Sequence, residues 1–513
     1  MNRVFRKIVA LFSFCFFFLA CPVFSQHVQW GTLQASESAL YTPHIMGDDK
    51  DFIYTAGKNR RDFFIEKFRK SDMVRQYSNH TEHPKIGEER LETEGIYFVD
   101  KKFILFASNY YNAGTEISLY AFIYNAETGK LSGEPRKILT VPVDKIKGQF
   151  NIKISENRTK ILIDHFAFYR GEKCWKEKYL LLNDDLEPIT EREDKIYTAE
   201  LDFIKFNLVI DNDGSVYYIK KTIYGDTFIV SYDAAKDFEK WEEHIDFSDI
   251  DRETSIVKIR FTLNSENDLL LVGYYTLDNK TLEGTFVMKI KTSSKEIDFK
   301  KINKFDEETL KRLVSSMSTK RYSRNSPKIP INYYNKIEIV ARNDGGFLLF
   351  GESFMDAGTT YLWDVIVLSH SADGALMWSQ KIPKKQVYSS LSWFKSKKMA
   401  GKPFEYMSCF PVIHNDNLKV YLNDRSSYAP LSREQMLEVG YLKTCKIKKM
   451  TKSLPVCYSM DLKSGELTKS EMKGKPDEKT FFKPMLSYQD KFNSDAIFFG
   501  QYKKNYVFGI LKD

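Results

Sequence analysis

The chain has 513 residues, of which 42% are hydrophobic and 15% aromatic, and its formal net charge is +8. With 39 Phe and 30 Tyr against 25 Gly and 15 Pro, this composition favours β-strands and argues against an intrinsically disordered chain. The charge is small for the length, so nucleic acid is not expected as a partner.

Residues 1–25 have the layout of a secretory signal peptide. The positive start contains Arg3, Arg6 and Lys7. Residues 8–20 are apolar, and Ser25 permits cleavage before Gln26. This apolar run is shorter than the roughly 20 residues that a membrane-spanning helix needs, and no other segment approaches that length. We therefore expect export to the periplasm, the medium or the outer surface, with no membrane span.

Cys21 offers an alternative processing route. Residues 19–21 resemble the lipobox of bacterial lipoproteins, which would make Cys21 the lipid-bearing first residue. Phe18 and Pro22 depart from that pattern. Cleavage before Gln26 is the favoured prediction.

One short pattern recurs eight times after the signal segment: a polar turn that contains Asp, Asn, Glu or Gly is followed by an apolar strand. The strands occupy residues 51–57, 102–108, 160–166, 215–221, 268–275, 346–352, 418–424 and 496–502. Such turn residues supply the positive φ angles that tight hairpins require. Each turn is therefore interpreted as the hairpin between the first and second strands of a repeated module.

A second series of apolar strands runs in phase with the first, and seven of the modules end in one further short strand. The eighth module stops at Asp513 with only three strands, whereas residues 27–33 stand alone before the first full module. Joining the two would close a ring. The pattern predicts an all-β propeller of eight four-stranded blades, with seven blades as the alternative.

Two segments interrupt the strand pattern within a single predicted domain, residues 26–513. Near residues 306–330, Leu310, Leu313, Val314 and Met317 recur at helical spacing after an acidic start. Residues 425–452 form the second predicted insertion, of helix or loop.

The loops between the second and third strands are rich in aromatic residues, and blade geometry places them all on one side of the ring. We call this side the second-loop face. Loops on a rigid scaffold commonly carry binding residues, and exposed aromatic side chains there suit a protein or glycan partner. The predicted binding residues are Tyr110, Tyr111, Phe168, Tyr169, Trp175, Tyr274, Phe354, Tyr361 and Trp363.

The sequence contains no G-x-S-x-G, H-E-x-x-H or P-loop motif, so catalysis is not expected. His80 and His83 lack an evident third ligand, and no metal or cofactor is predicted. The alternative is a carbohydrate-active enzyme, a hydrolase or lyase with an acid/base pair of carboxylates at the channel mouth. Its candidates are Asp164, Glu352, Asp356 and Asp364. Cys445 and Cys457 could pair in an oxidising compartment, although free thiols are favoured.

Residues 371–378 combine a strand, an Asp-Gly turn and an aromatic ending. With the signal segment and the eight modules, this pattern resembles uncharacterised exported β-propeller repeat proteins of Gram-negative bacteria. The resemblance covers nearly all of the mature chain. It implies fold and compartment, and it leaves the ligand open because one fold serves many functions.

Overall fold

The chain is described here from a computed structural model. The described residues are 27–35, 42–58, 63–111, 113–144, 147–197, 203–248, 254–264, 266–314, 328–356, 359–389, 403–414, 416–427, 431, 435, 453–472, 474, 480–489 and 495–512. The proposed signal segment, residues 315–327 of the first predicted insertion with Met317, most of the second predicted insertion and the side chain of Asp356 lie outside these residues.

Eight antiparallel sheets, here called blades 1–8 in chain order, form the fold. In the first four blades, the four strands pair in the order of the sequence. Blade 1 contains His44–Asp48, Phe52–Lys58, Phe63–Arg69 and Arg75–Thr81. Blade 2 contains Glu92–Val99, Lys102–Ser108, Glu116–Asn125 and Arg136–Pro142. Blade 3 contains Gln149–Ile154, Lys160–Tyr169, Cys174–Asn183 and Pro188–Ile196. Blade 4 contains Phe203–Ile210, Val216–Thr222, Thr227–Asp233 and Glu239–His244.

The next three blades repeat the same meander. Blade 5 contains Ser255–Leu263, Leu269–Thr276, Gly284–Ile290 and Ile297–Lys304. Blade 6 contains Lys336–Ala341, Phe347–Asp356, Thr359–His370 and Leu376–Ile382, and Gln386–Ser389 also pairs with its third strand. Blade 7 contains Cys409–His414, Asn417–Arg425, Ser453–Asp461 and Leu467–Glu471.

Blade 8 joins the two ends of the chain. Its first strand is split into Phe481–Phe482 and Tyr488–Gln489, and its second and third strands are Ala496–Tyr502 and Asn505–Lys512. The fourth strand is His27–Trp30, in which Val28 pairs with Leu511 in antiparallel register. The predictions of eight blades and of a ring closed by the leading strand are confirmed.

Burial explains the strand sequences. The second and third strands of each blade lie between two neighbouring blades, so they are apolar on both faces; Leu269–Thr276 is buried at every residue. The outer strands alternate instead, as in Pro188–Ile196. Apolar clusters fill the spaces between neighbouring blades, including one between blades 8 and 1. There the Tyr506 hydroxyl also donates to the buried Glu66 carboxylate, at 2.7–2.8 Å.

The Asp and Gly turns hold the hairpins between first and second strands. In blade 4, one Asp211 carboxylate oxygen accepts hydrogen bonds from three successive backbone N–H groups, those of residues 213–215, at 2.8–2.9 Å. Gly214 closes this turn at a φ of +98°, a backbone angle that residues other than glycine rarely adopt. Side-chain oxygens accept from following backbone N–H groups in the same hairpin of blade 1, through Asp49, and of blade 5, through Asn264.

Few elements lie outside the blades. Helix α1 spans Glu307–Leu313, and the Asp306 carboxylate caps it by accepting from the Thr309 N–H at 2.7 Å. The short strand Gln34–Ala35 belongs to blade 8, because it pairs with Asn505–Lys512. Other short strand pairs and 3-10 turns complete the described residues: Lys85–Ile86, Glu89–Arg90, Ala234–Lys236, Thr281–Leu282, Ile329–Pro330, Pro403–Tyr406 and Pro484–Leu486. Within the described part of the chain, no helix has the length and hydropathy to cross a bilayer.

Candidate binding face and channel mouth

The order of the strands in each blade determines which residues lie at the mouth of the central channel. First strands of consecutive blades contact one another from blade 1 to blade 6, so these strands surround the central channel. Because the strands are antiparallel, each first strand begins, and each second strand ends, on the second-loop face. Residues at those ends therefore form the mouth of the channel.

Exposed apolar side chains concentrate on this face. In the described part of the chain, twelve large apolar side chains are exposed, and eight of them lie on the second-loop face. Those eight are Tyr111, Tyr197, Ile204, Ile223, Tyr224, Phe354, Met355 and Met485. Tyr224 is the most exposed of all, at 85%. The opposite face carries the other four, Val74, Leu131, Ile189 and Met377. The two faces thus differ in the way that the loop compositions suggested.

The nine predicted binding residues fall into three groups of exposure. Tyr111 and Phe354 are exposed. Tyr110, Trp175 and Tyr361 are half-buried. Phe168, Tyr169, Tyr274 and Trp363 are buried. The structure therefore brings five of the nine to the surface of this face and packs the other four inside or between blades.

Several aromatic side chains near these loops stack on one another. The Trp363 ring stacks on Tyr361, with centroids 5.2 Å apart, and also lies parallel to Tyr333 at 6.4 Å. In blade 3, Trp175 stacks on Phe166 at 4.4 Å. The long apolar runs that continue into these loops give no sequence signal that separates a packed ring from an exposed one.

A cavity of about 170 Å³ opens at the channel mouth, across the first strands of blades 4 to 6. Three cationic side chains line it: Lys221 at the end of the second strand of blade 4, and Lys258 and Arg260 on the first strand of blade 5. Its apolar walls include Phe206, Ile256 and Ile337. No carboxylate is among the described residues that line it. We call this the cationic pocket.

The first strand of blade 5 is bulged where it enters the pocket. Its pairing register shifts between Ile256 and Lys258. Gly273 on the neighbouring strand permits this close approach, because a Cβ there would lie 1.7 Å from the Lys258 carbonyl oxygen. The bulge therefore sets the position from which the Lys258 side chain enters the pocket.

The Lys258 ammonium is held without a carboxylate. Its Nζ donates to the Tyr333 carbonyl oxygen at 2.5 Å, and burial lowers its pKa to about 8. A buried ammonium that lacks an anionic neighbour has lost hydration without gaining an ion pair. The pocket is thus short of negative charge.

Two other lysines near this face are matched by acids. Lys205 of blade 4 bonds to Glu177 at 2.6 Å and to Asp164 at 3.0 Å, both in blade 3. Lys483 bonds to Glu405 at 2.8 Å. These pairs lie between blades and are closed to solvent, so they are structural. Unlike these pairs, the three cations of the cationic pocket have no carboxylate beside them among the described lining residues.

The carboxylates considered for acid/base catalysis are mostly committed to such pairs. Glu352 is buried, and it accepts hydrogen bonds from Lys384, from Lys336 at 3.2 Å and from the Ser408 hydroxyl at 2.6 Å. Burial opposes its ionisation, but Lys384 and Lys336 hold the pKa of Glu352 below its ordinary value. Asp364 is buried and accepts from the Lys384 backbone N–H at 3.1 Å.

Asp164 behaves differently from Glu352. It is fully buried, and burial raises its pKa despite the neighbouring Lys205. Glu177 shares the same lysine and accepts from the hydroxyls of Tyr179, Tyr218 and Tyr232, so the cluster holds one cation and two acids. Neither acid reaches the channel.

Glu338 is a carboxyl group that the sequence did not single out. It lies on the first strand of blade 6 beside the channel. Desolvation raises its pKa, and Lys336 acts in the opposite direction. Only Ile337 separates it from Lys336 on the same strand, yet only a three-dimensional arrangement reveals its position.

Cysteine and metal chemistry give no further site. Cys174, Cys409 and Cys457 carry free thiols, and burial raises the pKa of Cys409 to about 12 and that of Cys457 to about 11. Cys445 lies outside the described residues. Among the described residues, no three His, Cys, Asp or Glu side chains converge on a point that would hold a metal ion.

Comparison with known proteins gives only distant similarities. The chain matches no protein-family model and no curated protein. Among solved structures, the Dos1 propeller is 9% identical with a TM-score of 0.43, covering 94% of this chain and 95% of that one. The uncharacterized protein lmo1340 from Listeria monocytogenes EGD-e is 9% identical with a TM-score of 0.37, covering 92% and 95%. The polysaccharide lyase Uly1 is 8% identical with a TM-score of 0.37, covering 84% and 94%. Similarities at this level assign no activity to the chain.

Proposed function

We propose that this chain is an exported, non-catalytic binding propeller that engages a protein partner of the cell envelope through its second-loop face. The observation that carries the proposal is the uneven distribution of exposed large apolar side chains, of which eight of the twelve on described residues lie on one face. Exposed apolar groups gathered on one surface are typical of interaction sites. Export is proposed from the N-terminal residues 1–25 alone.

The chemistry of the exposed side chains favours protein over glycan. Tyr, Phe and Met, which are enriched at the centres of protein interfaces, account for six of the eight. Ile204 and Ile223 have no ring face for a sugar, yet both are exposed close to Tyr224. Ile204 pairs with Lys221 in the sheet, and Ile223 and Tyr224 form the turn that follows Thr222. Together they make an apolar patch at the edge of the channel mouth.

Site-specific photo-crosslinking in the producing cells tests this proposal. Tyr224→p-benzoylphenylalanine places the probe in the patch, and Met377→p-benzoylphenylalanine is the matched control on the opposite face, where Met377 is 59% exposed. We expect a discrete protein adduct from position 224 and none from position 377. Equal labelling at both positions, or no adduct at position 224, would contradict the proposal.

A glycan partner is a separate outcome of the same programme. If the purified chain binds an immobilised glycan and Tyr224→Ala abolishes that binding, the partner class is wrong although the face is right. Stacking on an exposed Tyr ring would be the physical basis.

The second candidate function is a carbohydrate-active enzyme, and the Glu338 carboxyl group favours it. A raised pKa moves a carboxyl group towards the range in which it can act as a general acid. Incubating the chain with a panel of polysaccharides and measuring reducing ends or unsaturated products tests this candidate. Turnover that Glu338→Gln removes would establish it and would contradict the non-catalytic proposal.

A further inference from the structure

We propose that the cationic pocket is the subsite that receives a carboxylate of the bound protein, from an acidic side chain inserted into the channel mouth. This inference rests on the proposed function, and it adds the chemical group that the second-loop face recognises. Four observations support it: the size of the cavity, its charge, its apolar walls, and its continuity with the apolar patch.

The size of the cavity suits a small group. Its volume of about 170 Å³ admits one carboxylate with its short methylene stem.

The charge of the lining calls for an anion. Lys221, Lys258 and Arg260 face the cavity, and no described carboxylate lines it. Among the described residues, neither Lys221 nor Arg260 forms an ion pair, and Arg260 donates only to the Ile259 carbonyl oxygen, at 3.0 Å. The planar guanidinium is suited to bidentate recognition of a carboxylate. An incoming carboxylate would therefore find three donors, none of them paired with an acid among the described residues.

The apolar walls favour a carboxylate on a hydrocarbon stem over an inorganic anion. Phe206 and Ile256 are half-buried and Ile337 is buried, so the pocket offers methylene contacts beside its charges. Sulfate or phosphate would leave that apolar surface uncovered. The stem of a Glu side chain would cover it and release water.

The pocket continues into the apolar patch. Lys221 belongs to both, because it lines the cavity and pairs with Ile204, while Ile223 and Tyr224 follow it along the chain. A partner segment with an acidic residue next to apolar residues would occupy the two together. A charged pocket surrounded by apolar contacts that exclude water is the usual organisation of an interface hot spot.

Titration calorimetry on the mature chain tests the assignment with defined probes. Hexaglutamate is the anionic peptide, hexaglutamine is its uncharged control, hexagalacturonate is a glycan of equal charge, and inorganic sulfate is the bare anion. We expect hexaglutamate to bind and hexaglutamine not to bind. Arg260→Gln and Lys258→Met should each weaken hexaglutamate binding at least tenfold, and Lys221→Gln about threefold.

The matched control is Lys463→Met, an exposed lysine in a turn on the opposite face. Its affinity for hexaglutamate should stay within twofold of the parent chain, and all variants should keep the parent's unfolding temperature within a few degrees. Unchanged binding by Arg260→Gln and Lys258→Met would overturn the inference. So would tighter binding of hexagalacturonate, which would indicate an acidic glycan, or equal binding of sulfate, which would indicate a simple inorganic anion site.

Failure of this inference is distinguishable from failure of the proposed function. If pocket variants bind hexaglutamate as the parent does while the position-224 crosslink persists, the face stands and the pocket does not. If the crosslink is also absent, the proposed function fails as well.

Discussion

Removing Lys205 tests whether charge pairs between blades hold the ring together. The lysine lies on the first strand of blade 4, and its ammonium bonds to Glu177 Oε1 at 2.6 Å, to Tyr179 OH at 2.9 Å and to Asp164 Oδ2 at 3.0 Å. The side chains of Lys205 and the two acids are at most 7% exposed. Lys205→Met keeps the length of the side chain and removes the charge.

The magnitude follows from what the two acids must then do. Without the ammonium, a buried carboxylate at pH 7 either stays ionised with no counter-ion or takes up a proton. Protonating one Glu at pH 7 against its ordinary pKa costs about 1.4 kcal/mol per pH unit, so about 4 kcal/mol in total. Breaking a buried ion pair by removing one partner costs a similar amount, about 3–5 kcal/mol. We therefore expect Lys205→Met to lower the free energy of unfolding by about 4 kcal/mol at pH 7.

The same reasoning predicts a pH dependence. At pH 5 protonation is cheaper by about 2.7 kcal/mol, so the loss caused by Lys205→Met should shrink to about 1–2 kcal/mol. The double variant Lys205→Met with Glu177→Gln should recover part of the loss at pH 7, because the amide at position 177 carries no charge and Asp164 is then the one acid left without the ammonium. Urea unfolding of the parent chain and of both variants at pH 5 and pH 7 measures these free energies.

The matched control is Lys236→Met in the same blade. That lysine is 61% exposed and lies 3.8 Å from Asp233 and from Glu239, so its removal should change the free energy of unfolding by less than about 1 kcal/mol. A loss for Lys205→Met below about 1 kcal/mol at pH 7, or one that is equal at pH 5 and pH 7, would refute the reasoning.

Three further predictions address closure, acid stability and the pocket. Val28 is 2% exposed and packs between blades 7 and 8. Val28→Asp should therefore lower the free energy of unfolding in urea by at least about 3 kcal/mol, whereas Gln29→Asp on the exposed side of the same strand should change it little. Equal losses for the two variants would exclude closure by this strand. Burial lowers the pKa of His370 from 6.5 to about 3, so the unfolded state binds a proton that the folded state rejects, and stability falls as the pH drops below 6.5. His370→Gln should reduce that acid slope by about 1.4 kcal/mol per pH unit, and an unchanged slope in acid unfolding would contradict it. Because the pKa of Lys258 is lowered to about 8, acetic anhydride at pH 8 should modify Lys258 faster than Lys463, as mass spectrometry would report; slower modification of Lys258 would count against an accessible neutral amine.

Local signals in the sequence were sufficient for most of the fold. The Asp211 turn, the continuous apolar second strands and the lone residues 27–33 each express a short-range requirement, namely a hairpin, burial on both faces, and a missing strand partner. The acidic start at Asp306 likewise marks a helix cap that can be read from neighbouring residues. These features need no knowledge of contacts between distant segments.

The channel mouth could not be predicted in the same way. Lys258 and Arg260 alternate with apolar residues like any half-exposed strand, and what distinguishes them is that no carboxylate is among the described residues that line their pocket. Tyr274 and Trp363 were predicted at the binding face, but the structure buries both, because the apolar strands that carry them continue past the point where the loop seemed to begin. Exposure is decided by the neighbouring blade, which the local sequence does not encode.

Hydroxyl-radical footprinting in the producing cells, compared with the purified chain, tests most directly whether the second-loop face is the interaction face. The account predicts that Tyr111, Tyr224 and Phe354 are oxidised less in cells than in isolation, while Met377 and Leu131 on the opposite face are oxidised equally in both. Protection of Met377 and Leu131 with full oxidation of Tyr224 would contradict it.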